Sequence, residues 1–275
     1  MTSRSRSSVE ADVLFAEAEE DSPFFLYIAH YAPHWPLHAY EEDIEKYDGV
    51  YDVGWDQIRQ DRYERMVKMG IIDDDVPLSR RNPRVPAWEG ADHKEWEARR
   101  MAVHAAMVDR MDQGLGRVFD ALRETGRFDN TLILFLSDNG ASDETIQGVD
   151  TLFGYFERGG TRPEVMPGPP DTYASFGPEW ANASNTPLRL YKKWNHEGGV
   201  ATPLIAHWPE GITDVGGLRH EPGHVIDFMS TFVDLAKADY PEEYEGNEIL
   251  PMEGKSLVPI FAVSRWTSGQ SFSST

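Results

Sequence analysis

Two short, almost wholly apolar runs, each placed behind a helix-like stretch, limit what this chain can fold into. Phe24-Phe25-Leu26-Tyr27-Ile28-Ala29 and Thr131-Leu132-Ile133-Leu134-Phe135-Leu136 have the length and composition of strands buried on both faces, where half-buried strands would alternate. The first run follows Val9 to Glu20, in which Val9, Val13 and Ala16 share a helical face. The second follows Lys94 to Gly126, where Met101, His104, Ala105, Val108, Met111, Leu115, Val118 and Leu122 recur at three- and four-residue steps. Gly126 suits the C-terminal stop. Helix then buried strand, twice over, predicts an α/β fold with a central, mostly parallel sheet flanked by helices. Ligands of such folds bind beyond the carboxyl ends of the strands, so the stretches to watch are His30 to Trp35 and Ser137 to Ser142.

The other segments fit around that frame. Glu41 to Glu95 is polar, Gly/Pro-broken and dense in Trp and Tyr, an excursion whose most helical part is Trp55 to Met69. Gly148 to Pro187 is rich in Gly, Pro, Asn and Ser and reads as a long loop. Val200 to Trp208 is a third strand candidate, short or near an edge because of Pro203. His224 to Ala236 has helical spacing at Val225, Phe228, Met229, Phe232 and Leu235. The expected organisation is a helical lead-in over 1–22, one domain over 23–261, and a disordered Ser/Thr-rich tail over 262–275.

Asp and Glu total 47 against 26 Lys and Arg, a formal net charge of -21. Such a field repels nucleic acid and anionic membrane surfaces, so neither is expected as a partner. Only seven of the 26 basic residues are lysines, a bias that suits concentrated salt, in which a carboxylate-rich surface stays hydrated. An ordinary acidic enzyme is the alternative, and solubility against salt separates the two. With no cysteine, disulfides, thiolate metal sites and a cysteine nucleophile are excluded. No signal peptide and no apolar stretch of about 18 residues is expected in the chain. The sequon Asn182-Ala183-Ser184 is therefore read as incidental.

Three features carry chemistry. Asp138-Asn139-Gly140, directly after an apolar run, places two oxygen-bearing side chains at a strand end, which suits a hard cation such as Ca²⁺ or Mg²⁺; it is also a common turn signal. In Ala32-Pro33-His34-Trp35-Pro36-Leu37, the flanking prolines restrict the backbone of His34, which suits anion contact or proton transfer as well as a loop-holding hydrogen bond. His30 and His38 flank it without sharing a helical face, so a three-histidine zinc site is not expected. Lys192 and Lys193 stand beside Trp194 and the Gly198-Gly199 turn, where one of them is a candidate cation for an anionic substrate or else a solvated charge.

Taken in order, these segments resemble the arylsulfatase group of type I sulfatases, within the alkaline-phosphatase-like superfamily. The resemblance runs from about Pro23 to Pro259. It is carried by Pro23 to Tyr27 leading to Ala32-Pro33-His34-Trp35-Pro36-Leu37, by Leu134-Phe135-Leu136-Ser137-Asp138-Asn139-Gly140, by Arg189-Leu190-Tyr191-Lys192 before Glu197-Gly198-Gly199, and by Gly254-Lys255-Ser256-Leu257.

The resemblance implies that Asp138 and Asn139 are two ligands of a Ca²⁺ ion, that His34 contacts the sulfate or its leaving oxygen, and that Lys192, in the Arg-Leu-Tyr-Lys position, holds a sulfate oxygen. A small-molecule or saccharide sulfate ester would be the substrate. The departures are equally definite. The family's formylglycine arises from Cys or Ser in a Cys/Ser-x-Pro/Ala-x-Arg motif, and no such motif occurs here. The upstream aspartate pair, lysine and histidine of the family pattern have no counterpart either. The expectation is an incomplete sulfatase-like domain, a fragment inactive in isolation whose sheet would expose an apolar edge. A metal-dependent phosphodiesterase or phosphonate hydrolase of the same superfamily is one alternative, and a non-catalytic remnant is another.

Overall fold

A computed structural model describes residues 22–145 and 162–261. The lead-in helix expected at Val9 to Glu20 and the tail expected over 262–275 lie outside the described residues. Helices α1 (Glu41–Ile44), α2 (Gly54–Lys68) and α3 (Lys94–Glu124) precede strand β1 (Ile133–Leu136); α4 (Gly177–Ser184), α5 (Glu197–Val200), β2 (Leu204–His207), α6 (Asp227–Ala236), the two-residue strands β3 (Glu243–Tyr244) and β4 (Asn247–Glu248), and α7 (Val258–Phe261) follow. The chain divides into two compact units, Met1–Gly126 with Phe135–Leu204, and Arg127–Leu134 with Ile205–Thr275.

In the first unit the long predicted helix forms almost as read. Its buried face is offset from the expected stripe: Ala105, Val118 and Leu122 are buried as read, but Val108 is exposed and Ala102, Val103, Ala106 and Met107 take the core positions. The core there is aromatic: Trp55, Trp88 and Trp180 stack edge-on or tilted, with ring centroids 4.7–6.3 Å apart. Such rings gain from edge-to-face contact only if their polar N–H groups are satisfied. Trp55 donates to the carbonyl of Pro86 (3.0 Å) and Trp180 to that of Glu97 (2.9 Å). Gly54 is required at the start of α2, since a Cβ there would lie 2.1 Å from the Trp88 ring. Arg100, 3% exposed, has its charge met by Glu97 and its Nη1 donating to the Ser175 carbonyl at 3.1 Å, as a buried cation requires.

The second unit is organised around α6. Asp227 receives the backbone N–H of His224 (2.7 Å) and of Lys255 (2.8 Å), while buried Thr231 accepts from the N–H of Leu257 (2.9 Å). Ser230 donates to the Glu253 carbonyl at 3.0 Å. The Gly254-Lys255-Ser256-Leu257 segment is thereby laid along the helix. Gly254, at φ 87°, passes so close to Ile226 that a Cβ would sit 2.6 Å from its carbonyl oxygen. β3 and β4 pair antiparallel.

Two expectations need correction and a third is met only in part. Phe24 to Ala29 is extended but forms no strand, and Phe25 and Tyr27 are 72% and 80% exposed. An apolar run is buried on both faces only when ladder partners flank it, and no described strand does so. The central, mostly parallel sheet is represented among the described residues by the β1–β2 pair and, apart from it, the short β3–β4 pair. The long loop over Gly148 to Pro187 contains α4, an eight-residue helix with Pro178 in its first turn; its Gly, Pro and Asn content hid a good helix start. Within α4, Asn182 is 3% exposed, so the sequon's asparagine faces the interior.

Candidate functional site

Asp138 and Asn139 follow β1 directly, and Asp138 is exposed while Asn139 is half-buried. Their turn is fastened to the 189–199 segment by backbone approach that only glycine permits. Gly140 donates to the Gly199 carbonyl at 3.1 Å and Lys192 donates to the Ala141 carbonyl at 3.0 Å. A Cβ on Gly140 would lie 1.8 Å from the Gly198 oxygen, and one on Gly198 would lie 2.2 Å from the Arg189 oxygen. Asn185, just after α4, completes the joint. Its Oδ1 accepts the Ala141 N–H (2.8 Å), and its Nδ2 donates to the carbonyls of Leu190 and Gly198 (2.7 Å each).

Tyr191, fully buried, anchors the chain beside Lys192; burial pushes its phenol up to about 12. Lys192 is half-buried. Lys193 next to it is exposed, has the left-handed φ of 77°, a sparsely populated conformation for a side-chain-bearing residue, and pairs with Glu144. Among the described residues no ion pair involves Lys192, so of the two lysines it is Lys193 whose charge is neutralised.

The same Glu144 reaches the third loop. Its Oε2 accepts from the Trp35 indole N–H at 2.9 Å and from the Ser142 hydroxyl at 3.2 Å. Partial burial pushes the Glu144 carboxyl up, but hydrogen bonds from Lys193 and Trp35 outweigh it and hold the group below the usual carboxylate range. Ser175 donates to the Glu144 carbonyl at 2.6 Å, and Arg84 pairs with Asp143 at 2.7 Å.

His34 is exposed. Its Nδ1 donates to the Trp35 carbonyl at 2.8 Å, and the two rings lie 4.7 Å apart. That bond leaves Nε2 as the ring atom able to meet a ligand. His38 has a different task, its Nε2 donating to the Thr172 carbonyl at 2.7 Å.

The four residues singled out in the sequence, His34, Asp138, Asn139 and Lys192, therefore stand on three loops of one unit that share hydrogen-bonding partners. The two residues doing the joining, Asn185 and Glu144, carried no sequence signal beyond a polar residue in a loop. The donor types are those a hard cation takes, since Asn139 uses its Nδ2 on the Gly140 carbonyl (3.0 Å) and its Oδ1 makes no hydrogen bond among the described residues. Calcium takes about 6–8 oxygens, and among the described residues no cluster of three or more His, Cys, Asp or Glu could hold a metal. The pair fits as part of a shell.

A family model described as Sulfatase matches residues 10–238. The chain is 34% identical to an arylsulfatase of Klebsiella aerogenes over 256 residues, covering 88% of this chain and 52% of that protein. It is 33% identical to an uncharacterized sulfatase of Schizosaccharomyces pombe, covering 88% of this chain and 45% of that protein. The chain thus spans about half the length of these curated relatives. Among solved structures, Ps i-CgsB in complex with k-i-k-neocarrahexaose superposes with a TM-score of 0.52 at 25% identity, over 92% of this chain and 37% of the other.

Proposed function

The chain belongs to the sulfatase family, and from that premise we propose that it carries the cation- and anion-holding part of a sulfate-ester hydrolase site. Asp138 and Asn139 would supply two oxygens to a calcium ion. His34 Nε2 would contact the sulfate or its leaving oxygen, and Lys192 Nζ would hold a sulfate oxygen. The family's architecture would then be an alkaline-phosphatase-like central sheet, of which β1 and β2 are a part. The observation that carries the reading is the joining of the three loops through Asn185 and Glu144, with Lys192, unpaired among the described residues, beside the turn of Asp138 and Asn139.

The chemistry asks for these groups. Hydrolysing a sulfate ester builds negative charge on the sulfate oxygens and on the departing oxygen, and preorganised positive groups stabilise that charge where it develops. Calcium, when bound, supplies electrostatic polarisation of a sulfate oxygen. Lys192 would contribute an ammonium. His34, with Nδ1 occupied by the Trp35 carbonyl, presents Nε2 to give or receive a proton at the leaving oxygen. The formylglycine nucleophile of the family is not encoded within these residues, so the chain would bind without turning over. An aryl sulfate or a saccharide sulfate is the substrate class, the latter in line with the saccharide bound by the Ps i-CgsB structure.

Nuclear magnetic resonance titration of the 275-residue chain with sodium sulfate in calcium chloride tests the assignment. The expected result is movement of the His34 and Lys192 amides in the native chain, weakened on the order of tenfold by Lys192→Met and little changed by Lys193→Met. Sulfate-independent spectra, or spectra moved more strongly by an aryl phosphate diester than by sulfate, would sink it.

A further inference from the structure

We propose that Glu144 is a positioning residue for this site, one whose carboxylate sets the spacing of the loops that carry His34, Asp138-Asn139 and Lys192. The inference takes its ligand from the sulfate reading but stands on its own geometry. Glu144 Oε2 accepts from Trp35 Nε1 (2.9 Å) and from Ser142 Oγ (3.2 Å), and Oε1 pairs with Lys193 Nζ. Trp35 is the neighbour of His34, Ser142 lies shortly after Asn139, and Lys193 is the neighbour of Lys192. Each candidate residue is therefore within a few peptide units of a group held by one carboxylate. Glu144 is itself fixed from behind, its carbonyl accepting from the buried Ser175 hydroxyl at 2.6 Å.

The arrangement is better suited to orientation than to stability. The Lys193 partner is largely exposed, and an exposed ion pair adds little to folding. The Trp35 indole is different: its N–H direction is fixed by the acceptor, and the ring it belongs to packs on His34 at 4.7 Å and edge-on to Tyr173 at 6.0 Å. Moving the acceptor turns the indole, and turning the indole moves the His34 ring that packs against it at a tilt.

Glu144→Gln and Glu144→Ala delete the same charge, but only glutamine can still accept the Trp35 N–H and the Ser142 hydroxyl. Comparing them cancels the general electrostatic effect of a lost carboxylate. The ¹⁵N-labelled full chain, in calcium chloride, is titrated with sodium sulfate in both variants, with the Trp35 indole resonance assigned through Trp35→Phe. The expected result is a near-native indole resonance and sulfate affinity in Glu144→Gln. In Glu144→Ala the indole resonance is displaced, the His34 and Lys192 amides move with it, and affinity is about fivefold or more below that of the glutamine variant. Equal affinities and equal spectra in the two variants overturn the proposal. If sulfate perturbs nothing in the native chain, the sulfate reading fails while Glu144 is judged on the spectra alone. Joint displacement at His34 and Lys192 in Glu144→Ala then sustains its positioning role, and stillness at either overturns it.

Discussion

Replacing Asn185 by alanine removes one side chain that serves three backbone groups in two different turns. Oδ1 takes the Ala141 N–H at 2.8 Å, and Nδ2 is shared between the Leu190 and Gly198 carbonyls at 2.7 Å. A typical intramolecular hydrogen bond contributes about 1 kcal/mol net, and an interior group left without a partner costs about 1–3 kcal/mol. Asn185 is half-buried and water can reach part of the joint, which places Asn185→Ala at about 2–4 kcal/mol for three coupled bonds. Asn185→Asp is the sharper variant: it keeps the acceptor for Ala141 but points a second oxygen at two carbonyls, so its loss should equal or exceed that of alanine above pH 6. Urea unfolding followed by tryptophan fluorescence gives the free energies, and native-state hydrogen exchange at Ala141 and Lys192 reports the joint directly. A loss below about 0.5 kcal/mol for Asn185→Ala, or unchanged exchange at both amides, would show that the glycine contacts alone hold the turns and that the Asn185 argument is mistaken.

Gly198→Ala should cost more than about 2 kcal/mol and abolish sulfate-induced shifts, because its Cβ would meet two backbone oxygens at 2.2 and 2.4 Å that cannot retreat independently; a chain with native unfolding and native spectra would contradict this. Gly116→Ala, in α3 with open space around the new methyl, should stabilise by about 0.5–1 kcal/mol in the same urea experiment, and destabilisation would refute it. His104, packed on Phe176 at 4.7 Å, is pushed by burial down to about 4 from 6.5. The folded chain therefore binds fewer protons than the unfolded chain between those values, and stability falls as pH drops through that window, by at most about 3 kcal/mol. In His104→Leu the pH dependence of unfolding between 7 and 4 should flatten, and an unaltered slope would remove His104 as its source.

What could be read from the sequence was whatever depends on local periodicity. α3 is a run of apolar residues at helical spacing long enough to outweigh any neighbour, and β1 is a short run of residues that suit nothing else. α2 and α6 were placed for the same reason. The failures share a cause as well. Phe24 to Ala29 has the composition of a buried strand, but burial belongs to the neighbours of a strand and not to its own residues. α4 was obscured because Gly177, Pro178 and Asn182 are turn-formers by composition, while helix formation there rests on Pro178 in the first turn and on Trp180 and Ala181 filling the core. The candidate residues His34, Asp138, Asn139 and Lys192 were visible because rare or strictly placed residue types flank them. Asn185 and Glu144 were not, since their importance lies in partners 44 and 109 positions away.

That contrast bears on how the site could hold its shape beside the little regular sheet found among the described residues. Strand ladders fix a ligand site by aligning strand ends, and a sheet of two short strands offers little of that rigidity. Here the alignment is taken over by contacts between loops: glycines that let two backbones approach within hydrogen-bonding distance, an amide that bridges them, and a carboxylate that draws in the His34 loop. Each tie is short in space and lies inside one compact unit. On the proposed reading, anion contact asks only for a lysine and a histidine correctly spaced, whereas calcium takes about 6–8 oxygens and so needs more than Asp138 and Asn139 alone. The loop ties would, on that reading, preserve the spacing of His34 and Lys192 independently of the residues that complete a cation shell.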